Sequence, residues 1–369
     1  MKNSAYMTRI LMTVWVVFVA YGALTLVGGC SDDGYKYRFK FEKSKELTAK
    51  VGGIKWHYVC DDKEAIIVMA SGYDVATVNG EVKLPSSLGG FPVKAVCGSV
   101  FRIDSHIQSL TIPEGVLDLS ACAFAGVQID EVSIPSSVTN IDVNAFSGSK
   151  CRKFTVSDYS RWFSSVNGWL CTKDGKRLVR AAWGETRIPL GVERVPDCAF
   201  ALSEIRSVVL PDSLEQIGFN AFFDCEELVS ITIPSKVRNI NAFTFEGCTN
   251  LERVDFPVAL TNIGAYAFEG CKKLSSVTIP EGVVRIEEYA FANCTGLKSV
   301  EIPSTVKFIG AHAFSACADG LLVTMDISNA TIRANAFSSF NHLSKERGVK
   351  SGPDTAKIEI PIDMLMKGK

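Results

Sequence analysis

Thiols are the most numerous reactive side chains of this 369-residue chain, which carries 12 Cys against 4 His. Five of them, Cys225, Cys248, Cys271, Cys294 and Cys317, recur every 23 residues and must occupy equivalent points of a repeating structure. A metal site is excluded by that arrangement. A one-dimensional row cannot surround an ion with four tetrahedral ligands, and no Cys-x-x-Cys pair occurs. Disulfides within the row are disfavoured by distance. Neighbouring strands lie ~4.8 Å apart, and parallel Cβ vectors keep the Cβ atoms at that separation, beyond the roughly 3.5–4.5 Å a bridge needs. Catalysis finds no partners. There is no HExxH, GxSxG, GxGxxG or P-loop, and His57, His106 and His342 have no recognisable partner in the sequence. The acid pairs Glu287-Glu288 and Asp61-Asp62 read as solvated surface. The row is expected to be buried and reduced, and the chain not to be an enzyme or to hold a cofactor.

One cysteine stands apart. Lys2 and Arg9 flank an uncharged run from Ile10 to Val27, as in a secretory signal; a retained membrane helix is the alternative. Leu26-Val27-Gly28-Gly29-Cys30 resembles the lipobox of bacterial lipoproteins, in which the Cys thiol takes a diacylglyceryl group and becomes the new N-terminus. The resemblance implies lipidation at Cys30, and Ser31 after it is similar to lipoproteins sent to the outer membrane. Residues 1–29 are then a signal peptide. The charged stretch 30–50 reads as a tether between lipid and fold.

The whole chain is nearly neutral, with 39 basic and 40 acidic residues, which argues against a nucleic-acid partner. A hydrophobic share of 47% with 22 Phe demands a large packed interior. The elements that build it repeat. Phe101, Phe124, Phe146, Phe200, Phe222, Phe245, Phe268, Phe291, Phe314 and Phe337 follow one another at 22 or 23 residues, except for one interval of 54. An apolar-Pro mark runs in step, from Ile112-Pro113 to Ile302-Pro303. Within Leu274 to Gly296, Ser276 to Ile279 alternates and predicts a short strand with Val277 and Ile279 inward. Pro280 has no amide hydrogen and ends it. Val283 and Ile286 return to the core, and a tight bend or single helical turn buries Phe291. One such unit cannot offset its own ordering entropy, so the units must stack.

The form LxxVxIPxxVxxIGxxAFxxCxx, nearly unbroken from Leu274 to Gly296, resembles the BspA-like, or treponemal-type, leucine-rich repeat. The resemblance runs from about Phe91 to Phe340. It implies a mainly β repeat solenoid on a bacterial surface, a parallel-β leucine-rich-repeat array of about ten 22–23-residue coils with one inserted hairpin and terminal caps. It implies binding of host or neighbouring-cell proteins and carries over no catalytic residue. The expected layout is a capping hairpin over 51–90, the solenoid over 91–340 with an insertion at about 152–187, and a C-terminal cap and tail over 341–369. In the last coil, Asp326, Asn329 and Phe340 replace the usual Pro, Val and Cys.

Two surfaces are candidates for ligand. Outward strand positions include Thr232, Arg253, Asp255, Thr278 and Glu301, a hydroxyl-rich face suited to a protein partner. The insertion holds Trp162, Trp169 and Trp183, with strands expected near Trp169 to Thr172 and Arg177 to Ala181 joined at Asp174-Gly175. These indoles either seal the junction where the regular array is interrupted or, if exposed, would suit polysaccharide or protein. The two readings are a surface-anchored adhesion protein and a glycan-capture module. His312, Tyr266 and Tyr289 precede successive Ala-Phe marks and read as coil surface.

Overall fold

The computed structural model describes residues 46–60, 63–68, 77–184, 186–318, 321–325 and 330–338, and the backbone of 358–359. Cys30, its signal and most of the tail lie outside the described residues, as do Asp326, Asn329 and Phe340. The chain forms a mainly β parallel solenoid of about 11 turns, with no helix among the described residues.

Each coil is bonded to the next on more than one side. The strand Ser276–Thr278 pairs in parallel with Ser299–Ile302, which pairs with Leu322–Met325. A second ladder, absent from the sequence reading, joins the two-residue strands Asn239–Ile240, Asn262–Ile263, Arg285–Ile286, Phe308–Ile309 and Thr331–Ile332. The bend before the core Phe is a hydrogen-bonded turn and not helical. It too bonds across coils, with the Phe268 amide donating to the Ala290 carbonyl (2.7 Å) and the Gly270 amide to Ala292 (2.9 Å). The Pro marks do more than stop a strand. The carbonyls of Pro234, Pro257 and Pro280 each accept the amide three residues on, at 3.0–3.1 Å, turning the chain toward the second ladder. Coils approach closely beside the Ile-Gly pairs: a Cβ at Gly310 would lie 2.3 Å from the Glu288 amide nitrogen.

Stacked rings fill the interior. From Phe200 through Phe222, Phe245, Phe268, Phe291 and Phe314 to Phe337, centroids are 4.9–5.2 Å apart and planes lie within 13°. The cysteine row runs beside them as free thiols. Each thiol donates to the carbonyl of a core Phe in the preceding coil: Cys248 to Phe222, Cys271 to Phe245 and Cys294 to Phe268, at 3.1–3.3 Å. A small apolar side chain with a weak donor suits this place. Burial pushes the Cys225 and Cys317 thiols up to about 12 and holds Cys248, Cys271 and Cys294 well above the usual range. These groups favour folding below their unfolded value of 9.0, and the contribution fades as pH rises above it, because the unfolded chain then ionises first. At pH 8 a thiol-reactive dye should leave the buried Cys225, Cys248, Cys271 and Cys294 unmodified in the native chain, where Cys317 is only partly buried, and label all five, without reductant, once urea unfolds it. A bridge between any neighbouring pair would contradict the packing.

Both ends carry antiparallel strands that cover the stack. Leu47–Val51, Ile54–Cys60 and Ala65–Ile67 form a meander, and Ala65–Ile67 joins Phe91–Val96 in parallel. Trp56 meets Phe101 edge-on at 5.8 Å. The meander begins inside the stretch read as tether. The first strand of the main ladder, Asn79–Lys83, precedes residue 91, so the array starts one coil early. At the far end, Ile358–Glu359 closes the edge of Leu322–Met325 in antiparallel fashion.

The insertion is a three-stranded antiparallel sheet of Phe163–Val166, Trp169–Thr172 and Leu178–Arg180. Its middle strand is a partition between two cores. Leu170 packs with the N-terminal core, which ends at Phe146 and Phe154, while Trp169 and Cys171 pack with the C-terminal one. Successive side chains of a strand point to opposite sides, so one strand serves both. Arg180 is buried beside it and donates to the Cys198 carbonyl at 3.3 Å; burial lowers its guanidinium to about 10, which leaves it charged at neutral pH.

Candidate functional site

The structure splits the three insertion tryptophans. Trp169 is 0% exposed and meets Phe200 edge-on at 5.8 Å, in the place a coil Phe would take. Its expected ligand role is corrected: both faces of its strand are covered, so no surface remains to offer. Trp183 is half-buried, with the Lys150 ammonium and Arg152 guanidinium 5.4 and 5.5 Å from its ring centroid. That ring is engaged by cations and is a poor platform for sugar. Trp162 alone is open, at 47%, and Tyr159 three residues before it is 88% exposed. Tyr159 went unremarked as a surface residue in the sequence because it lies in a turn with no repeat register.

The strand-face residues fall into two paired groups on separate sheets. Thr232 stands beside Asp255 across a parallel pair, its hydroxyl donating to the carboxylate at 3.2 Å, and the Arg253 guanidinium donates to the same carboxyl at 2.8 Å. Thr278 stands beside Glu301, and Glu301 beside Thr324. Thr232, Arg253, Thr278 and Glu301 are exposed, and Asp255 is half-covered by its two donors. The Arg253–Asp255 pair adds little stability, about 0–1 kcal/mol for an exposed pair. Its effect is to present one fixed donor fork beside a row of hydroxyls and carboxylates on rigid backbone.

A second row lies at the turns. Two residues before each core Phe from Phe222 to Phe337 the backbone is left-handed, at Asn220, Phe243, Tyr266, Tyr289, His312 and Asn335 (φ 54–60°). Asn tolerates this region; bulky side chains enter it at a cost of about 1–2 kcal/mol each. Four consecutive coils nevertheless carry rings there. Phe243, Tyr266, Tyr289 and His312 stack at 5.0, 4.7 and 4.9 Å with planes within 13°. Stacked pairs return about 0.5–1.5 kcal/mol each, close to the backbone cost. Stability gives little reason to prefer them over Asn. Glu246 and Glu269 flank the row. Burial, with Glu269 and Asp224 adding repulsion, raises the Glu246 carboxyl to about 7. Glu269 is raised by burial, while the Asn293 amide donating at 2.8 Å opposes the shift. The 23-residue recurrence of these rings is visible in the sequence; their stacking is not.

Among the described residues, no group of three or more His, Cys, Asp or Glu is placed to hold a metal ion, and no helix is long and apolar enough to cross a membrane.

The repeat pattern described as the BspA type leucine rich repeat region matches six copies across residues 93–165, 184–294 and 261–347. The matched residues make up more than half of the chain, which belongs to this family. A leucine-rich repeat protein from Eubacterium ventriosum has a similar crystal structure, with TM-score 0.55 and 19% identity over 82% of this chain and 97% of its own. A leucine rich cell surface protein from Faecalibacterium prausnitzii aligns at TM-score 0.41 and 19% identity, covering 81% and 99%. The pneumococcal vaccine antigen PcpA aligns at TM-score 0.41 and 14% identity, covering 80% and 92%. At such identities the likeness to the Eubacterium protein concerns fold alone. A search of curated proteins found none that matches the chain.

Proposed function

We propose that this chain is a lipid-anchored, non-catalytic binding protein of the bacterial surface or outer membrane, which engages a host or neighbouring-cell protein through its strand face. The observation that supports the reading is the outward set Thr232, Arg253 and Asp255 on one parallel strand pair and Thr278 and Glu301 on the next pair along the array, each pair held in register. Repeat solenoids of this kind bind through such extended faces. The Cys30 lipobox supplies the anchor and 30–45 the spacer. The chain from Ser31 onward, screened against extracellular-matrix proteins and polysaccharides, should show saturable binding to a protein. Binding confined to polysaccharide would sink the protein-partner reading. For the anchor, Cys30→Ala should lose detergent partitioning and accumulate as precursor; unchanged partitioning would point to a retained helix.

A glycan-capture reading is favoured by one observation, the exposure of Trp162 beside Tyr159. An open indole and phenol offer faces on which sugar rings stack. Trp162→Ala with Tyr159→Ala should then abolish polysaccharide binding while leaving stability unchanged.

A further inference from the structure

The turn-side row of rings is a surface whose composition the fold does not require. Asn220 and Asn335 hold the same left-handed position at its two ends. Within the row each ring face is covered by the next ring, so edges and the Tyr266 and Tyr289 hydroxyls are what a partner meets. That geometry is poor for sugars, which need open faces, and good for groups that donate hydrogen bonds to phenol oxygens.

Charge selects further. The groups acting electrostatically on Tyr266 are Tyr289 and the carboxylates Glu288, Glu269 and Glu246; no cation is among them. Of the cations in these coils, Lys273, Arg253 and Arg285 are committed to Glu252, Asp255 and Glu287, and the exposed Lys272 is not among the groups acting on Tyr266. Glu246 makes no ion pair with any described residue, and Asp224 and Glu269 repel it. An incoming cation would gain attraction from several carboxylates and relieve their mutual repulsion. Apolar side chains beside that cation would pack against the ring edges.

We propose that the row of Phe243, Tyr266, Tyr289 and His312, flanked by Glu246, Glu269 and Glu288, is a docking surface for a lysine- or arginine-bearing segment of a partner protein. The surface is separate from the strand face and does not rest on the reading given for it. It gives the solenoid a second recognition element, selective for basic over acidic segments.

The test uses the chain from Ser31 onward and two fluorescein-labelled peptides, Gly-Lys-Phe-Lys-Phe-Lys-Gly and its counterpart with Glu for each Lys. The Lys peptide should bind saturably, and the Glu peptide at least about tenfold more weakly. Tyr266→Asn with Tyr289→Asn keeps a residue suited to the left-handed backbone, so the fold survives. It should weaken the Lys peptide by about tenfold or more without lowering the melting temperature. Glu246→Gln with Glu269→Gln should do the same. Affinity should fall between pH 8 and pH 6 as Glu246, faced by Asp224, Glu269 and Tyr266, takes up a proton. With His312→Asn in both chains compared, Glu246→Gln should flatten that slope. Glu281→Gln, which removes an exposed carboxylate outside both surfaces, should leave the Lys-peptide affinity unchanged, which separates this surface from general charge attraction. Equal binding of both peptides, absence of saturable binding, or full binding by the Asn variant would overturn the proposal. So would displacement of the peptide by calcium but not by sodium at equal ionic strength, which would assign the carboxylates to a metal.

Discussion

Trp169→Ala should lower the stability of the chain by about 3–5 kcal/mol, the range for deleting a buried aromatic ring. The indole is fully covered, and it starts the C-terminal ring stack against Phe200. Without it, the strand Trp169–Thr172 keeps Leu170 in the N-terminal core but loses its largest grip on the other. In a linear array, coupling passes only between neighbours. The substitution should therefore also split urea unfolding into two transitions, one for each core. Trp162→Ala, on the open side of the same insertion, should cost under about 1 kcal/mol. A loss below about 1 kcal/mol for Trp169→Ala would mean that the partition strand does not join the cores.

Phe268→Ala should cost a similar ~3–5 kcal/mol. Its ring stacks on Phe245 at 5.1 Å and Phe291 at 5.0 Å, and Phe256 meets it edge-on at 5.6 Å. The cavity would open in the middle of the stack, where coils on both sides hold the walls in place. Phe337→Ala makes the informative comparison. Phe337 stacks on Phe314 at 5.2 Å, and among the described residues no ring stacks on its other face, so fewer ring contacts are lost. Urea melts of the two variants should rank them Phe268 first. Equal losses would mean that the stack does not transmit stability along its axis.

The solenoid was legible in the sequence because two marks, Ala-Phe and Ile-Pro, recur in one register, and only a stacked array gives both a purpose. The second ladder was not. A strand of two residues, such as Asn262–Ile263, is too short to alternate, and its existence depends on the neighbouring coil. The insertion was half-legible. The Asp174-Gly175 turn was read as the hairpin, yet Asn167-Gly168, an equally good two-residue turn, builds a third strand at Phe163–Val166. Trp169-Leu170-Cys171 is an unbroken apolar run, the mark of a strand covered on both faces. That run outweighs the reading of Trp169 as an exposed, ligand-contacting indole. The strand-face residues were placed correctly because period-2 alternation decides which side chains face out. The stacked turn row escaped notice because a positive φ leaves no trace in a bulky residue's identity.

The claim that the strand face is the binding surface is tested most directly by titrating the best protein ligand from the screen against two variants. One carries Thr232→Ala, Arg253→Ala, Thr278→Ala and Glu301→Ala together, and the other carries Trp162→Ala with Tyr159→Ala. The first variant should lose about tenfold or more in affinity at unchanged melting temperature, while the second should bind as the native chain does. Full affinity in the first variant, with loss in the second, would contradict it and move the site to the insertion.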